Sequence, residues 1–533
     1  MTLPALIVTG ASGFVGHHLL NEIKEEYRIF AIARRSQRES GAPIHPNIAW
    51  MQVDIRHRDE LARTMREIVT AGGARDLIHL AAYYDFTGDE RPEYRSTNVE
   101  GTRNVIELSL PMNLRRFVFA SSVAACSFPR PEGPLDERTP PDGDHVYARS
   151  KRQGEAMLGE YPDLPSCIVR LGAVYSDWCE YAPLYVFLST WLGRSWRSRV
   201  LAGRGSTAIP YVHIRDVIAF FRHLLARLDA IEPREVLIAS RPGCTSHRTL
   251  QQLSTRAYFG CSHRPIHLPK FLCTTGLLLA DAIGRLSGRR PFERRWMGRY
   301  IDLTMEVDNR RTRERLGWTP SPRHQIERRL PFVIERLKSE PLEWHVRNAA
   351  AMRRETARPD LSIYRGLVAI EDQIIGQFVH EVRSATGAAA MPHYAAMDPV
   401  ELAWLARLVY RLLLTSVQTS DRLLIVNYLE VTAAGRFRDG CSADEIGAFL
   451  GRMSALVRAG LAARPELRGL DRMIHDRVSV PFELGLDEVQ GQFELYTQAG
   501  VPARGGPAVG TGATADARVL LEETIWRCLV LRR

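Results

Sequence analysis

Tyr147 and Lys151, in the stretch "VYARSK" at 146–151, stand four residues apart. On a helix that spacing puts both side chains on one face. A phenol beside an ammonium has an acid–base use. A free tyrosine has a pKa of about 10, so only roughly one in a thousand is ionised at pH 7, and a nearby positive charge favours the phenolate. Lowering it by about three units takes about 4 kcal/mol of differential stabilisation. A phenol tuned in this way could give or take the proton on an oxygen while hydride moves on the adjacent carbon. Tyr-x-x-x-Lys arises often by chance, so the pair's meaning depends on the elements that would position it.

Those elements are present. "RRFVFASSVAA" at 115–125 reads as a strand with Ser122 at its C-terminal end, the edge of an open α/β sheet where ligands bind. At the chain start, "ALIVTGASGFVGHHLLNEI" reads as a strand over 5–8, a turn carrying Gly10, Gly13 and Gly16, and an amphipathic helix. Glycines there let the backbone turn tightly and approach a diphosphate, and the helix N-terminus offers free N–H groups. The candidate cradle is Gly10, Ser12, Gly13, Phe14, Val15 and Gly16. A second strand spans 28–33, and "IAWMQVDIRH" gives a third that ends at Asp54. The second strand ends in Ala33, followed by Arg34 and Arg35, where an NAD-binding protein places an acid for the ribose 2′-hydroxyl. Guanidinium groups can hold a 2′-phosphate, which favours NADP over NAD. "DLIHLAAYYDF" at 76–86 reads as another strand, and "NVEGTRNVIEL" starts a helix at Asn98.

In this order the pieces resemble the extended branch of the short-chain dehydrogenase/reductase superfamily, the NAD-dependent epimerase/dehydratase family. The matching motifs are "TGxxGxxG", Asp54–Ile55, "HLAA" at 79–82, "NVxGT" from Asn98, Ser122, a proline- and acid-rich loop, and Tyr147-x-x-x-Lys151. Over residues 1–345 the resemblance implies an α/β fold: a doubly wound, parallel Rossmann-type sheet with a small substrate-binding lobe. It implies that Tyr147 is the acid/base, that Lys151 tunes it and holds the nicotinamide ribose, and that Ser122 hydrogen-bonds the reacting oxygen. It puts Asp54 and Ile55 beside the adenine, adds Ala81, Ala82, Tyr83, Asn98 and Leu171 to the cofactor site, and implies a homodimer formed through the tyrosine-bearing helix.

Two departures bear on the substrate. Nucleotide-sugar enzymes of the family usually carry Asn where "RLGAVYS" has Ala173, and often Arg where Ile209 and Pro210 stand. Losing a donor and a cation makes a diphosphate ligand harder to hold. Tyr83, Tyr84 and Phe86 offer either an aromatic wall or packing beneath their loop. The resemblance is therefore nearest in character to the 3β-hydroxysteroid-dehydrogenase-like and dihydroflavonol-reductase-like members. It implies an NAD(P)-dependent alcohol/ketone oxidoreductase acting on an apolar or lipid-like molecule. A nucleotide-sugar epimerase or dehydratase using bound cofactor, and an NADP(H)-sensing regulatory protein, are the alternatives.

The chain's 533 residues exceed what one hydrophobic core usually holds. Its net charge of +10 is uneven: residues 351–533 hold 21 Arg and no Lys against 22 Asp and Glu, so the basic excess lies before them and a basic C-terminal nucleic-acid tail is not expected. Eight scattered cysteines without Cys-x-x-Cys spacing predict reduced thiols in a cytoplasmic protein. Cys244-x-x-His247 lacks a second pair, so no metal is expected. Residues 268–300 combine a Leu-rich stretch with seven Lys and Arg against Asp281 and Glu293. A core helix with a solvated basic turn, or peripheral contact with an anionic membrane, would each account for them. Over 363–495 the apolar spacing predicts a helical bundle with no assigned role, and 496–533 a Gly/Ala-rich tail before a short helix.

Overall fold

A computed structural model of the chain describes residues 3–86, 88–128, 133–193, 196–286, 294–351, 359–419 and 421–502. The chain forms two compact units, Met1–Leu337 with Arg347–Arg354, and Lys338–Val346 with Glu355–Arg533.

The first unit is built on seven parallel strands: β1 (Ala5–Thr9), β2 (Arg28–Ala33), β3 (Ile48–Gln52), β4 (Asp76–His79), β5 (Arg116–Ser122), β6 (Ser166–Leu171) and β7 (Glu235–Ala239), in the order β7-β6-β5-β4-β1-β2-β3. Continuous apolar runs such as "LIV" and "IFAIA" suit strands covered on both faces. One layer of cover includes α1 (Phe14–Ile23) and α5 (Ile214–Ala226). The other includes α2 (Arg58–Thr70), α3 (Thr102–Ser109) and α4 (Val146–Glu160). Strand order reverses between β1 and β4, the switch point where an open α/β sheet binds its ligand. This is the doubly wound sheet that the sequence predicts.

Three boundaries differ from the sequence reading. The strand expected over 76–86 stops at His79, because Ala81 leaves the sheet to cross Gly10 and the Tyr83–Asp85 backbone is held by Asn98 and Tyr94 instead. The helix expected to start at Asn98 begins at Pro92, which suits a first helical position because it lacks an N–H. It then passes through a wide π-turn, Ser96–Gly101, into α3. The third strand ends at Gln52, since Asp54 opens a turn by accepting the Arg56 N–H.

Four histidines of this unit are kept neutral by burial. His79, wedged between Thr9 and Thr102, has its pKa pushed down to about 3, and those of His18, His145 and His247 are pushed down to about 4. The unfolded chain would bind protons below about pH 6.5 that the native state refuses until pH 4 or lower. The histidines' contribution to stability is therefore full above 6.5 and lost as pH falls below it. The denaturant midpoint should drop between pH 7 and pH 5, and drop less in His247→Asn; equal midpoints would contradict neutral burial.

The second unit is helical throughout its described residues. Its long members are α7 (Pro359–Val382), α8 (Pro399–Thr419), α9 (Leu423–Arg438), α10 (Ala443–Ala462) and α11 (Val480–Gln498). They share one apolar core, in which Phe378, Tyr410, Phe449 and Met453 are buried. Ser442 caps α10 by accepting the Glu445 N–H. The Gly/Ala-rich segment from 503 onward, with the short helix expected after it, lies outside the described residues.

Candidate active site

The glycine-rich turn does what its composition predicts. Gly10 has φ +71°, and a Cβ on it would lie 2.5 Å from the Ala81 nitrogen; one on Gly16 would lie 2.4 Å from the Gly10 carbonyl oxygen. Only glycine permits both the left-handed turn and this close crossing of β1 and β4. No side chain caps α1 at Gly13, so N–H groups at its first turn face the crevice. Phe14 and Val15 pack against the core, and Ser12 gives its carbonyl to the Arg35 guanidinium. Arg34 lies exposed just past β2. The carboxyl of Asp54 feels burial, which raises its pKa, but two hydrogen bonds and the charge of Arg56 outweigh this and hold it below the usual range. Ile55 is buried against Gly101.

Asn98 is tied into the protein through its amide. Its amide accepts the Tyr83 N–H at 2.6 Å and donates to the Tyr83 carbonyl and Ser150 Oγ, each at 2.9 Å. Both ends of the amide are committed. Asn98 therefore positions the Ala81–Tyr83 loop against α4, rather than reaching into the crevice itself.

Ser122, Tyr147 and Lys151 converge at the C-terminal edge of the sheet. Ser122 ends β5 opposite Leu171 of β6, where its hydroxyl donates to the Leu171 carbonyl at 3.5 Å and accepts the Ala124 N–H at 3.2 Å, beside the Tyr147 phenol. Lys151 is 5% exposed and donates to the Ala120 carbonyl at 2.7 Å, with its ammonium 5.9 Å from the centre of the Tyr147 ring. One turn further along α4, Glu155 forms a buried pair with Arg170 of β6 at 2.8 Å and accepts the Ser121 hydroxyl, bracing the helix to two strands. Burial pushes Tyr147 up, partly opposed by Ser122, and pushes Lys151 down to about 8, opposed by Glu155.

An aromatic wall continues from Tyr147. Tyr84 stacks on its ring at 4.0 Å, Phe86 lies 4.2 Å from Tyr84, and Tyr181 meets Phe86 edge-on at 5.5 Å. Tyr181 in turn meets Tyr211, whose buried hydroxyl has no hydrogen-bond partner among the described residues. His145 stands between Tyr147 and Trp296, with centroids 6.2 and 5.9 Å away. Tyr181, Tyr211, His145 and Trp296 were not singled out by sequence, because nothing local ties them to the motif. Ala173 donates its N–H to the Pro210 carbonyl, which joins the two positions where the polar ligands of nucleotide-sugar enzymes are replaced.

His247 of the Cys-x-x-His pair packs 4.4 Å from Phe187, as an apolar contact. In the second unit, donor atoms of His393, Cys441 and Glu445 lie within 4.8 Å of one another, a grouping invisible in their spacing. Glu445 is committed there, accepting both the backbone and ring N–H of His393, and the Arg436 guanidinium beside Cys441 opposes a cation.

A switch-point crevice with a glycine cradle and a Ser–Tyr–Lys set matches the arrangement that the resemblance to extended short-chain dehydrogenases implies. The model of the NAD dependent epimerase/dehydratase family matches residues 6–239 of the chain. A putative UDP-glucose 4-epimerase of Methanocaldococcus jannaschii is 27% identical over 221 residues, 40% of this chain and 70% of that protein. The 3beta-hydroxysteroid-dehydrogenase/decarboxylase isoform 1 of Arabidopsis thaliana is 25% identical over 232 residues, 40% of this chain and half of that protein. Sterol demethylase protein B of Methylococcus capsulatus is 26% identical over 325 residues, 59% of this chain and 93% of its own length. The family's cofactor, NAD or NADP, fits the cradle: a Cβ at Gly10 or Gly16 would block the crossing, and none is there.

Proposed function

We propose that the first unit transfers hydride between a nicotinamide cofactor and an alcohol or ketone on an apolar, ring-bearing or lipid-like molecule. The observation that carries this is Tyr84 stacked on Tyr147, with Phe86 and Tyr181 beyond it. A substrate oxygen at Tyr147 and Ser122 would have an aromatic surface beside it, which suits an apolar skeleton better than a nucleotide diphosphate. The replacement of polar ligands at Ala173, Ile209 and Pro210 points the same way, as do the sterol names of two relatives.

Gly10, Ser12, Gly13, Phe14, Val15 and Gly16 would hold the diphosphate by backbone. Asp54, Ile55, Ala81, Ala82, Tyr83 and Leu171 would line the adenine and nicotinamide halves. When bound, the nicotinamide supplies or accepts the hydride. Tyr147 moves the proton on the substrate oxygen through its phenol, Ser122 orients that oxygen, and Lys151 holds the ribose. The partner set is completed by a second copy of the chain, meeting through α4.

Arg34 would read the 2′-phosphate of NADP. Arg34→Ala should weaken NADPH about tenfold or more, the loss of one charge-assisted contact, and leave NADH nearly unchanged. Equal effects on both cofactors would remove Arg34 from that role. The reaction itself is tested by titrating NADPH and NADH, then following nicotinamide absorbance with steroid-like ketones and with nucleotide sugars. Net consumption with an apolar ketone is the expected result. Conversion of a nucleotide sugar without net consumption would replace this reading by the epimerase or dehydratase one.

A further inference from the structure

The substrate lobe has an unusual charge distribution. Residues 181–215 contain Arg194, Arg197, Arg199, Arg204 and Arg215 and no Asp or Glu; residues 236–280 contain Arg241, Arg248, Arg256, Arg264 and Lys270 and again no acid. Each segment is long enough that a complete absence of carboxylates is a bias, and the two are joined in space. The strand Ile266–Leu268 pairs in parallel with Val200–Ala202, which the turn Trp196–Arg199 leads into, and then feeds α6 (Lys270–Leu286).

Large apolar side chains are exposed on the same elements. Trp196 is 72% exposed, Phe271 69% and Ile266 56%, with Leu272, Leu278 and Phe259 also exposed. Over its first turns α6 turns Cys273 inward, donating to the Leu268 carbonyl, and leaves Phe271, Leu272, Thr275 and Leu278 outward. A soluble surface seldom groups so many apolar side chains in so short a stretch. No described helix is long and apolar enough to cross a membrane. Asp302 is held by the N–H groups of the Gly203–Ser206 turn, Arg215 and Arg241 pair with Asp177 and Asp216, and Asp281 lies further along α6; Arg256, Arg264 and Lys270 remain among the apolar side chains. Apolar side chains with a cationic excess match an interface that offers hydrocarbon just beneath anionic headgroups.

We propose that this face docks on an anionic lipid bilayer, with α6 lying along the interface, Phe271, Leu272 and Leu278 inserted, and Arg256, Arg264 and Lys270 at the headgroups. Nucleic acid would use the cations but leave the apolar side chains in water, and a second copy of the chain would bring like charge against like. The docking does not depend on which molecule the active site converts.

The test is co-sedimentation of the full chain with phosphatidylcholine vesicles, with and without phosphatidylserine. Binding should require the anionic lipid, weaken as salt is raised, and fall at least tenfold in Phe271→Glu and Leu278→Glu, while NADPH affinity and melting midpoint stay at the parent values. Those two readouts separate lost docking from lost folding, and neither uses turnover, so the substrate reading stands or falls separately. Absence of vesicle binding would overturn the proposal. So would binding that both substitutions leave intact, a tighter salt-dependent complex with duplex DNA, or a dimer that the substitutions dissociate.

Discussion

Replacing Tyr147 by Phe should lower turnover about 10²- to 10⁴-fold, the usual contribution of a positioned acid–base group, and leave dinucleotide affinity unchanged. The substitution deletes one oxygen and keeps the ring, so the 4.0 Å stack with Tyr84 and the packing of α4 against β5 persist. What disappears is the phenol hydroxyl beside Ser122. Stopped-flow measurement of hydride transfer, together with fluorescence titration of NADPH, separates the two effects. Unchanged hydride transfer would take Tyr147 out of the chemistry.

Lys151→Met should make the protein more stable at pH 7 while it loses turnover and dinucleotide affinity. The lysine amine is buried, and burial lowers its pKa from 10.5 to about 8 against the pull of Glu155. Below pH 8 both folded and unfolded chains carry the proton, so the native state bears the whole cost, about 3 kcal/mol at 1.36 per unit. The cost shrinks as pH rises from about 8 to 10.5, so the variant's advantage should fade over that window. Losing the bond to the Ala120 carbonyl offsets part of the gain, about 1 kcal/mol. Thermal melts at pH 7 and pH 10 check the sign. A lower midpoint at pH 7 would mean that the amine stabilises the fold, not only the ligand.

The fold was legible wherever function demands a backbone feature. Gly10 and Gly16 announce the crossing because no other residue fits beneath Ala81 or against the Gly10 carbonyl, and Ser122 declares its place because an apolar run ends there. Asn98 was visible as a motif, but its amide bonds to Tyr83 and Ser150 emerge only from the tertiary structure. Lys151 shares a helix face with Tyr147 as its spacing implies, whereas its burial, which spacing does not report, emerges only from the fold. The aromatic wall draws on Tyr84, Phe86, Tyr181 and Tyr211, side chains brought together from distant stretches by the topology.

The π-turn at Ser96–Gly101 carries one more consequence. A π-turn closes its hydrogen bonds one residue later than an α-turn, so this stretch carries one residue more than a regular helix needs while the turns on either side stay in phase. Asn98 meets Tyr83 and Thr102 meets His79 across that extra residue. Removing the exposed Glu100 should close the turn to α geometry and keep the flanking turns in step, whereas the same deletion in the regular helix that follows would rotate one side against the other. The segment is the one place in this helix with slack in its length.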